Sequence, residues 1–191
     1  MKILIIGNGY IGNRCLGEWP DAVLSNNKIK TKEDVLALLD EHKPDAVLNA
    51  GGVTGKPNVD WCETHQMETI IGNTLLPILI AQACQERGLY LLHIGSGCIF
   101  YGDSPHPDKK WREGDLGNPK EVTYSRTKWA ADFVLTTLPN VGIARIRMPI
   151  DWMPAKRNLI DKLAVYPKII DVENSVTIID DMMDVFHKLL E

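Results

Sequence analysis

Short apolar runs alternate along the chain with longer segments whose apolar residues recur every three or four positions. The short runs predict buried strands, and the longer segments predict amphipathic helices beside them. The predicted strands cover residues 2–6, 22–25, 45–49, 89–94 and 141–146. The predicted helices cover residues 10–17, 31 to about 43, 60–87 and 124–137. After Pro149 the pattern predicts a short helix near 159–165, strands near 168–172 and 176–179, and a helix from Asp180.

Strands that alternate with helices predict βαβ units in a doubly wound α/β fold, a parallel sheet with helices on both faces. Local signals support several boundaries. Thr31 and Asp34 have the spacing of a capping box, and Pro44 ends the helix that they begin. Pro77 lies inside the segment 60–87 and predicts a kink there. The length of 191 residues is typical of one domain, so we expect a single NAD(P)-binding Rossmann domain over residues 1–191.

Composition and charge narrow the function classes. Hydrophobic residues make up 45% of the chain, which excludes a disordered or collagen-like protein. The formal net charge of −4 gives no electrostatic reason to bind nucleic acid or an anionic membrane. No apolar run has the length of a bilayer span or the pattern of a signal peptide. The four cysteines form no zinc-type spacing, so we expect no metal, reduced thiols and a cytoplasmic protein.

A glycine-rich segment lies directly between the first predicted strand and the first predicted helix. In that position the pattern G-x-G-x-x-G is typical of a loop that binds the pyrophosphate of a dinucleotide at a helix N-terminus. A glycine-rich turn without a ligand is the alternative. The predicted cofactor-binding residues of this loop are Gly7, Asn8, Gly9, Tyr10, Ile11 and Gly12.

The end of the second predicted strand bears on the choice of cofactor. An acidic residue there favours NAD by binding the ribose 2′-hydroxyl, but this chain has Ser25 followed by Asn26, Asn27 and Lys28. A 2′-phosphate would meet no repulsion and could meet a cation, Lys28 or Arg14. The sequence therefore favours NADPH, with NADH possible and with Lys28 as a solvated loop charge as the alternative.

Tyr124 and Lys128 are four residues apart on a predicted helix and therefore share one face. A phenol with an ordinary pKa of about 10 needs a nearby cation to exchange protons near neutral pH. Ser96 follows the fourth predicted strand, at the edge where this architecture binds ligands. His93, inside that strand, is interpreted as a hydrogen-bonded core histidine, and Asn73 as a buried structural residue rather than a proton relay.

Together these motifs resemble the extended short-chain dehydrogenase/reductase superfamily. The glycine loop, Asn49, Ala50 and Gly51 after the third strand, Ser96, and the Tyr124/Lys128 pair carry the resemblance. Three stretches are most similar to the bifunctional 3,5-epimerase/4-reductases of UDP-rhamnose synthesis, and the likeness extends from residue 2 to about residue 187. These stretches are residues 49–63 (NAGGVTGKPNVDWCE), 97–100 (GCIF) and 145–150 (RIRMPI).

The resemblance implies roles for individual side chains. Tyr124 would protonate the C4 oxygen of a nucleotide-linked 4-keto-6-deoxyhexose as hydride arrives from the nicotinamide. Lys128 would lower the pKa of Tyr124 and hold the cofactor ribose, and Ser96 would orient the carbonyl. Cys98 and Lys162 match the two epimerase positions. From the residues alone, a buried apolar thiol and a solvated helix charge remain the alternatives for these two.

The resemblance also implies a set of further contacts. Ser25, Asn49, Ala50 and Gly51 would join the glycine loop, Tyr124 and Lys128 around the cofactor. Capping of the helix that follows is the alternative for Asn58 and Asp60. Because Arg145 and Arg147 alternate on a strand, we expect only Arg147 to face the site. The predicted substrate-binding residues are Val53, Thr54, Asn58, Asp60, Trp61 and Arg147.

Members of that family continue for roughly another hundred residues, so we expect a reduced substrate subdomain in which residues 151–191 are a remnant. This leaves two alternatives to the bifunctional enzyme: a 4-reductase that does not epimerise, and a non-catalytic NAD(P)-binding regulatory subunit. The helices at 60–87 and 124–137 could pair with their copies in a homodimer. The substrate nucleotide stays open at this stage.

Overall fold

A parallel sheet of five strands forms the centre of the molecule, in the order β2-β1-β3-β4-β5. The computed structural model describes residues 1–169 and 171–191. Every pairing in this sheet is parallel, so all five carboxyl ends meet at one edge. The strands are β1 (Ile3–Ile6), β2 (Ala22–Ser25), β3 (Ala46–Asn49), β4 (Tyr90–Ser96) and β5 (Val141–Ile146).

Helices cover both faces of the sheet, which confirms the doubly wound fold. Successive residues of β1 point to opposite faces, and all are buried. Ile3 and Ile5 pack with α1 and α8, whereas Leu4 and Ile6 pack with α2, α5 and α6. These helices are α1 (Tyr10–Glu18), α2 (Lys32–His42), α5 (Leu76–Glu86), α6 (Thr123–Leu135) and α8 (Ile179–Leu190).

The capping box predicted at Thr31 is present. The Thr31 hydroxyl accepts a hydrogen bond from the Asp34 backbone N–H, and the Asp34 carboxylate accepts one from the Thr31 N–H. At the other end of α2, Lys43 adopts a left-handed conformation before Pro44. The helix therefore begins and ends where the sequence predicts.

The single helix predicted over 60–87 is wrong in detail, because the segment is broken twice. The backbone leaves the helical region at His65, between α3 (Trp61–Thr64) and α4 (Gln66–Ile70). A π-helical turn, Ile71–Leu75, then joins α4 to α5. Pro77 lies just after this turn and cannot donate a helical hydrogen bond, so the wider turn replaces the simple kink.

The helical run Gln66–Glu86 meets the criteria for a membrane span by its length and by its mean hydropathy of 1.3. This differs from the expectation that no apolar run has that length. Within the fold it instead supplies Ile80, Ala83 and Cys84 to the core beneath β3 and β4. Core helices of soluble proteins meet the same criterion, so the run is weak evidence for a membrane segment.

Beyond β5 the chain forms a small parallel pair, β6 (Pro149–Ile150) with β7 (Thr177–Ile178), and a short helix, α7 (Leu159–Leu163). The strand expected near 168–172 is not formed at residues 168–169 or 171–172, and Ile170 lies outside the described residues. The last helix, α8, returns to the sheet and buries Phe186 in the core that contains Ile3 and Ile5.

Candidate active site

The glycine loop turns tightly between β1 and α1 at the carboxyl edge of the sheet. Gly7 has a φ of +121°, and a Cβ there would lie 2.3 Å from the Gly51 nitrogen. A Cβ on Gly12 would lie 2.1 Å from the Gly7 oxygen. Only glycine therefore fits at these two positions, and the loop is held against the backbone that follows β3.

The mouth of this loop has the features of a dinucleotide site. Gly9 caps α1 without a side-chain hydrogen bond, and the first turn of α1 contains no acidic residue. A Cβ added to Gly9 would meet no atom within 4 Å. The free N–H groups and the positive end of α1 thus face open space, as a bound pyrophosphate requires.

Arg14 is buried and paired with two carboxylates, so it is not a free cation that a 2′-phosphate could meet. Its Nε donates to the Asp151 carboxylate at 2.6 Å, and its Nη1 donates to Glu18 at 2.8 Å. Tyr10 also turns its side chain away from the loop and donates to Asp151 at 2.8 Å. Burial alone would raise the pKa of Asp151, but the bonds from Arg14 and Tyr10 outweigh it and hold the pKa below its ordinary value.

Asparagine side chains form a chain beside the end of β2. Asn13 donates to Asn8, and Asn8 donates to Asn26 at 2.6 Å. Ser25 is buried and accepts from the Asn27 backbone, while Lys28 is exposed. Residues 25–28 therefore present neutral amides and the exposed Lys28 here, and they contain no carboxylate.

Ser96, Tyr124 and Lys128 come together where β4 ends and α6 begins. Burial raises the pKa of Tyr124 to about 12, although the Ser96 hydroxyl opposes the rise. Burial also lowers the pKa of Lys128 to about 8, against the opposing charge of Asp132. The expectation that Lys128 lowers the pKa of Tyr124 is thus wrong, because burial dominates and the pKa rises. Lys128 is the group whose pKa is brought close to neutral pH.

The ammonium of Lys128 is held from the strand side. Its Nζ donates to the Ile94 carbonyl at 2.8 Å and lies 3.5 Å from His93 Nε2. His93 is completely buried, and its Nδ1 lies 3.0 Å from Asn49 Nδ2. The interpretation of His93 as a hydrogen-bonded core histidine is confirmed.

The loop after β3 is tied to the helices around it. Asn73, in the π-helical turn, accepts from the Val53 N–H at 2.7 Å and donates to the Val53 carbonyl at 2.9 Å. This confirms its structural role. At the next residue, the Thr54 hydroxyl accepts a hydrogen bond from Arg157, which also donates to the Gly55 carbonyl at 3.3 Å.

Asn58 and Asp60 do not cap α3 through their side chains. Asn58 Nδ2 donates to the Asp60 carboxylate at 3.0 Å, and the Asp60 N–H donates back to Asn58 Oδ1. Trp61 stacks on His65 with ring centroids 3.8 Å apart. Glu63, inside α3, instead connects this helix to α6, because its carboxylate accepts from the Thr123 N–H and hydroxyl at the start of α6.

Cys98 and Arg147 lie at the turn that follows β4. The Cys98 N–H donates to Ser96 Oγ at 3.2 Å, and its side chain is partly exposed. Arg147 donates to the Gly97 carbonyl at 2.9 Å, whereas Arg145 pairs with Asp132 at 2.7 Å. Arg145 lies in β5 and Arg147 just after it. Their side chains therefore have different partners on different sides of the strand, as their alternation predicts.

The positive charge of Arg157 acts on both Lys162, a predicted epimerase residue, and Tyr124, the predicted proton donor of the reductase. Burial first, and the Arg157 charge second, lower the pKa of Lys162. The same guanidinium also lowers the pKa of Tyr124 slightly. Sequence reasoning missed Arg157 although it begins the stretch that contains Lys162. The sequence offers no local signal that the guanidinium returns to the loop after β3.

Two shallow depressions of about 430 and 300 Å³ lie at the opposite, amino-terminal edge of the sheet. The first is lined by residues around Met1 and Asp21, and the second by residues around Asp40 and Arg87. Neither contains the side chains described above. The glycine loop and the reactive groups at the carboxyl edge, rather than the size of a depression, therefore mark the candidate site.

Comparison with known proteins decides the family. The model of the RmlD substrate binding domain matches residues 1–181. The chain belongs to the RmlD substrate-binding-domain family. A bifunctional dTDP-4-dehydrorhamnose 3,5-epimerase/reductase of Arabidopsis thaliana is 37% identical over 93% of this RmlD-family chain and 60% of its own length. The chain thus spans about three fifths of that relative.

Solved structures agree with this assignment. The L780 UDP-rhamnose synthase of Acanthamoeba polyphaga mimivirus superimposes with a TM-score of 0.89 at 31% identity, over 100% of this chain and 71% of that one. A dTDP-4-dehydrorhamnose reductase of Bacillus anthracis, solved in complex with NADP, superimposes with a TM-score of 0.83 at 21% identity. The match covers 100% of this chain and 71% of that one. The second likeness shows the fold of the RmlD-family chain.

Proposed function

We propose that this RmlD-family protein reduces the 4-keto group of a nucleotide-linked 4-keto-6-deoxyhexose with NADPH, and that it also epimerises C3 and C5 to give an L-rhamnose-type sugar. The observation that carries the proposal is the cluster of Ser96, Tyr124 and Lys128 beside the open mouth of the glycine loop. The relatives named above, a rhamnose epimerase/reductase and a UDP-rhamnose synthase, support the substrate class.

NADPH, when bound, supplies the hydride for the C4 carbon. The glycine loop would hold its pyrophosphate, and the backbone of Asn49, Ala50 and Gly51 would lie beside it, since Gly7 packs on Gly51. Tyr124 and Lys128 would contact the nicotinamide half. Ser25 ends β2 and Asn26 follows it, so no carboxylate lies at this strand end, which supports NADPH over NADH.

Proton delivery falls to the side chains of this chain. Tyr124 is a neutral phenol at physiological pH because its pKa is about 12, so it has a proton to donate to the C4 oxygen. Ser96 would donate a hydrogen bond to the same oxygen and orient it. Lys128, with a pKa of about 8, can return a proton to the phenolate near neutral pH.

For epimerisation, the 4-keto group acidifies the protons at C3 and C5, and inversion needs an acid and a base on opposite sides of the ring. Cys98 and Lys162 are our candidates. The lowered pKa of Lys162 beside Arg157 increases the share of the free amine. Cys98 is partly exposed at the same sheet edge, which gives it access to a substrate.

We assign substrate contacts to the loop after β3, the start of α3 and the residue after β5. Thr54 supports this assignment because its hydroxyl is already paired with Arg157 at the site. Arg147 adds a guanidinium beside the turn that contains Cys98. The proposed set is Val53, Thr54, Asn58, Asp60, Trp61 and Arg147.

We also propose that the protein is a cytoplasmic homodimer. The four cysteines are free, as expected for a reducing compartment. The helix α4, the π-helical turn after it and the adjacent helix α6 expose apolar side chains, and the same surface on a second copy would be self-complementary. The exposed residues are Met67, Ile70, Ile71, Leu75, Phe133 and Val134.

The decisive experiment is NADPH oxidation on addition of UDP-4-keto-6-deoxyglucose in deuterated water. We expect turnover, with deuterium at C3 and C5 of the product. Replacement Tyr124→Phe should reduce the rate by roughly 100-fold or more, the usual contribution of a general acid. Tyr101→Phe is the matched control, because that phenol bonds Ser125 on the same helix without a role in the reaction.

Three outcomes have distinct meanings. No turnover by a wild-type protein that binds NADPH contradicts the enzyme and favours a binding subunit. Turnover without deuterium at C3 and C5 contradicts the epimerase alone. Equal rates for Tyr124→Phe and Tyr101→Phe contradict the role of Tyr124.

A further inference from the structure

The hydrogen bonds of Asn49 determine which ring nitrogen of the buried His93 carries a proton. The Gly51 N–H donates to Asn49 Oδ1 at 2.9 Å. Because a backbone N–H can only donate, the Asn49 oxygen must face Gly51 and its NH₂ must face His93. At 3.0 Å, His93 Nδ1 therefore accepts a hydrogen bond and carries no proton.

The remaining proton of a neutral His93 must then lie on Nε2. Complete burial, with the nearby charge of Lys128, lowers the pKa of His93 well below its usual value, so the ring stays neutral. The Nε2–H lies 3.5 Å from Lys128 Nζ. An ammonium has donors only, so this contact brings two donors together, whereas an uncharged amine has a lone pair that accepts the proton.

We propose that His93, oriented by Asn49, is a positioning residue that stabilises the uncharged amine of Lys128 and so allows Lys128 to pass a proton to the Tyr124 phenolate. This inference rests on the proposed reductase. After Tyr124 gives its proton to the substrate oxygen, the Lys128 ammonium loses one N–H proton and the phenolate gains it. The amine then keeps its bond to Ile94 and accepts from His93 until solvent returns a proton.

Other groups around Lys128 do not provide this selectivity. Asp132, one turn later on α6, favours the ammonium, and its charge is shared with Arg145 of β5. The Ile94 carbonyl accepts from the ammonium and from the amine alike. Tyr124 is neutral until it reacts. Among these contacts, His93 is thus the one that favours the uncharged amine of Lys128.

Two substitutions separate the two nitrogens of His93. In His93→Gln the amide nitrogen can occupy the position of Nε2 and still donate to Lys128. In His93→Asn the shorter amide replaces Nδ1 only, so Asn49 keeps a partner and Lys128 loses its donor. Both variants leave a polar group of similar size at the same buried position, which makes each a control for the folding of the other.

The test is a ¹³C NMR titration of protein labelled at lysine Cε, with the Lys128 signal assigned through Lys128→Arg. We expect a pKa of about 8 in the wild type and in His93→Gln. In His93→Asn the pKa of Lys128 should rise by about one pH unit, the effect of one lost hydrogen bond. The alkaline limb of the kcat profile should move upward by the same amount.

An unchanged Lys128 pKa in folded His93→Asn overturns the inference, as does an equal change in both variants. If His93→Asn fails to fold, a His93→Gln titration that departs from the wild type overturns it, and one that coincides supports it. The titration needs no substrate. A protein that shows the expected titration but no turnover would contradict the proposed function and leave the His93–Lys128 contact established.

Discussion

At the scale of single residues, burial sets the protonation of the candidate reactive groups: it raises the pKa of Tyr124 to about 12 and lowers the pKa of Lys128 to about 8. Ser96, Tyr124 and Lys128 were predictable because strand ends and helix spacing are local patterns. Arg14 was misassigned because its partner, Asp151, lies 137 residues away in the chain. The raised pKa of Tyr124 was also unpredictable, since burial of the phenol depends on how α6 packs.

The preference for NADPH can be tested at the end of β2. We expect Asn26→Asp to raise the KM for NADPH about tenfold relative to that for NADH, because the carboxylate repels a 2′-phosphate. An aspartate still accepts the hydrogen bond that Asn8 donates to residue 26. Steady-state kinetics with both cofactors measure the ratio.

Asn27→Asp is the matched control for this prediction. It adds the same charge one residue further along, on an exposed side chain. If both variants change the ratio of the KM values for NADPH and NADH equally, the effect is one of overall charge, and residue 26 does not lie beside the 2′-phosphate as this prediction requires.

At the scale of elements, the sequence predicted the ends of α2 but not the breaks between α3 and α5. The difference lies in the kind of signal. A capping box is a specific pair, Thr31 and Asp34, whereas apolar periodicity cannot distinguish an α-helical turn from the π-helical turn at Ile71–Leu75. The bend at His65 has no glycine or proline to mark it.

The packing of α8 yields a prediction about stability. Phe186 is completely buried in the core that α8 forms with β3 and β4, so Phe186→Ala should lower the free energy of unfolding by about 3–5 kcal/mol. Val185, its neighbour on the same helix, is 42% exposed, and Val185→Ala should cost less than about 1 kcal/mol. Urea unfolding followed by circular dichroism measures both, and equal losses would show that α8 is not docked as described.

At the scale of the whole molecule, one network connects the cofactor loop to the segment that contains Arg157 and Lys162. Asp151 accepts from Tyr10 of the glycine loop and from Arg14 of α1, while its backbone is bonded to Asn158. The doubly wound fold was predictable because βαβ alternation is a pattern of the entire chain. This network was not, because it joins residues from both ends of the sequence.

The proposed homodimer gives the prediction at this scale. Phe133 is 53% exposed on α6, and Phe133→Glu should convert a dimer to a monomer in analytical ultracentrifugation, since a buried charge at a two-fold interface meets its own copy. Val185→Glu is the control, because Val185 is 42% exposed on α8, which covers the opposite face of the sheet from α6. A wild-type protein that sediments as a monomer at micromolar concentration contradicts the proposal.

The return of α8 to the sheet has a consequence for the order in which the protein forms during synthesis. Ile3 and Ile5 are made long before Ile179, Met183 and Phe186, which cover their face of the sheet. The opposite face needs only α2, α5 and α6. On the ribosome, one side of the sheet can therefore close early, while the other stays open to chaperones or to aggregation until α8 emerges.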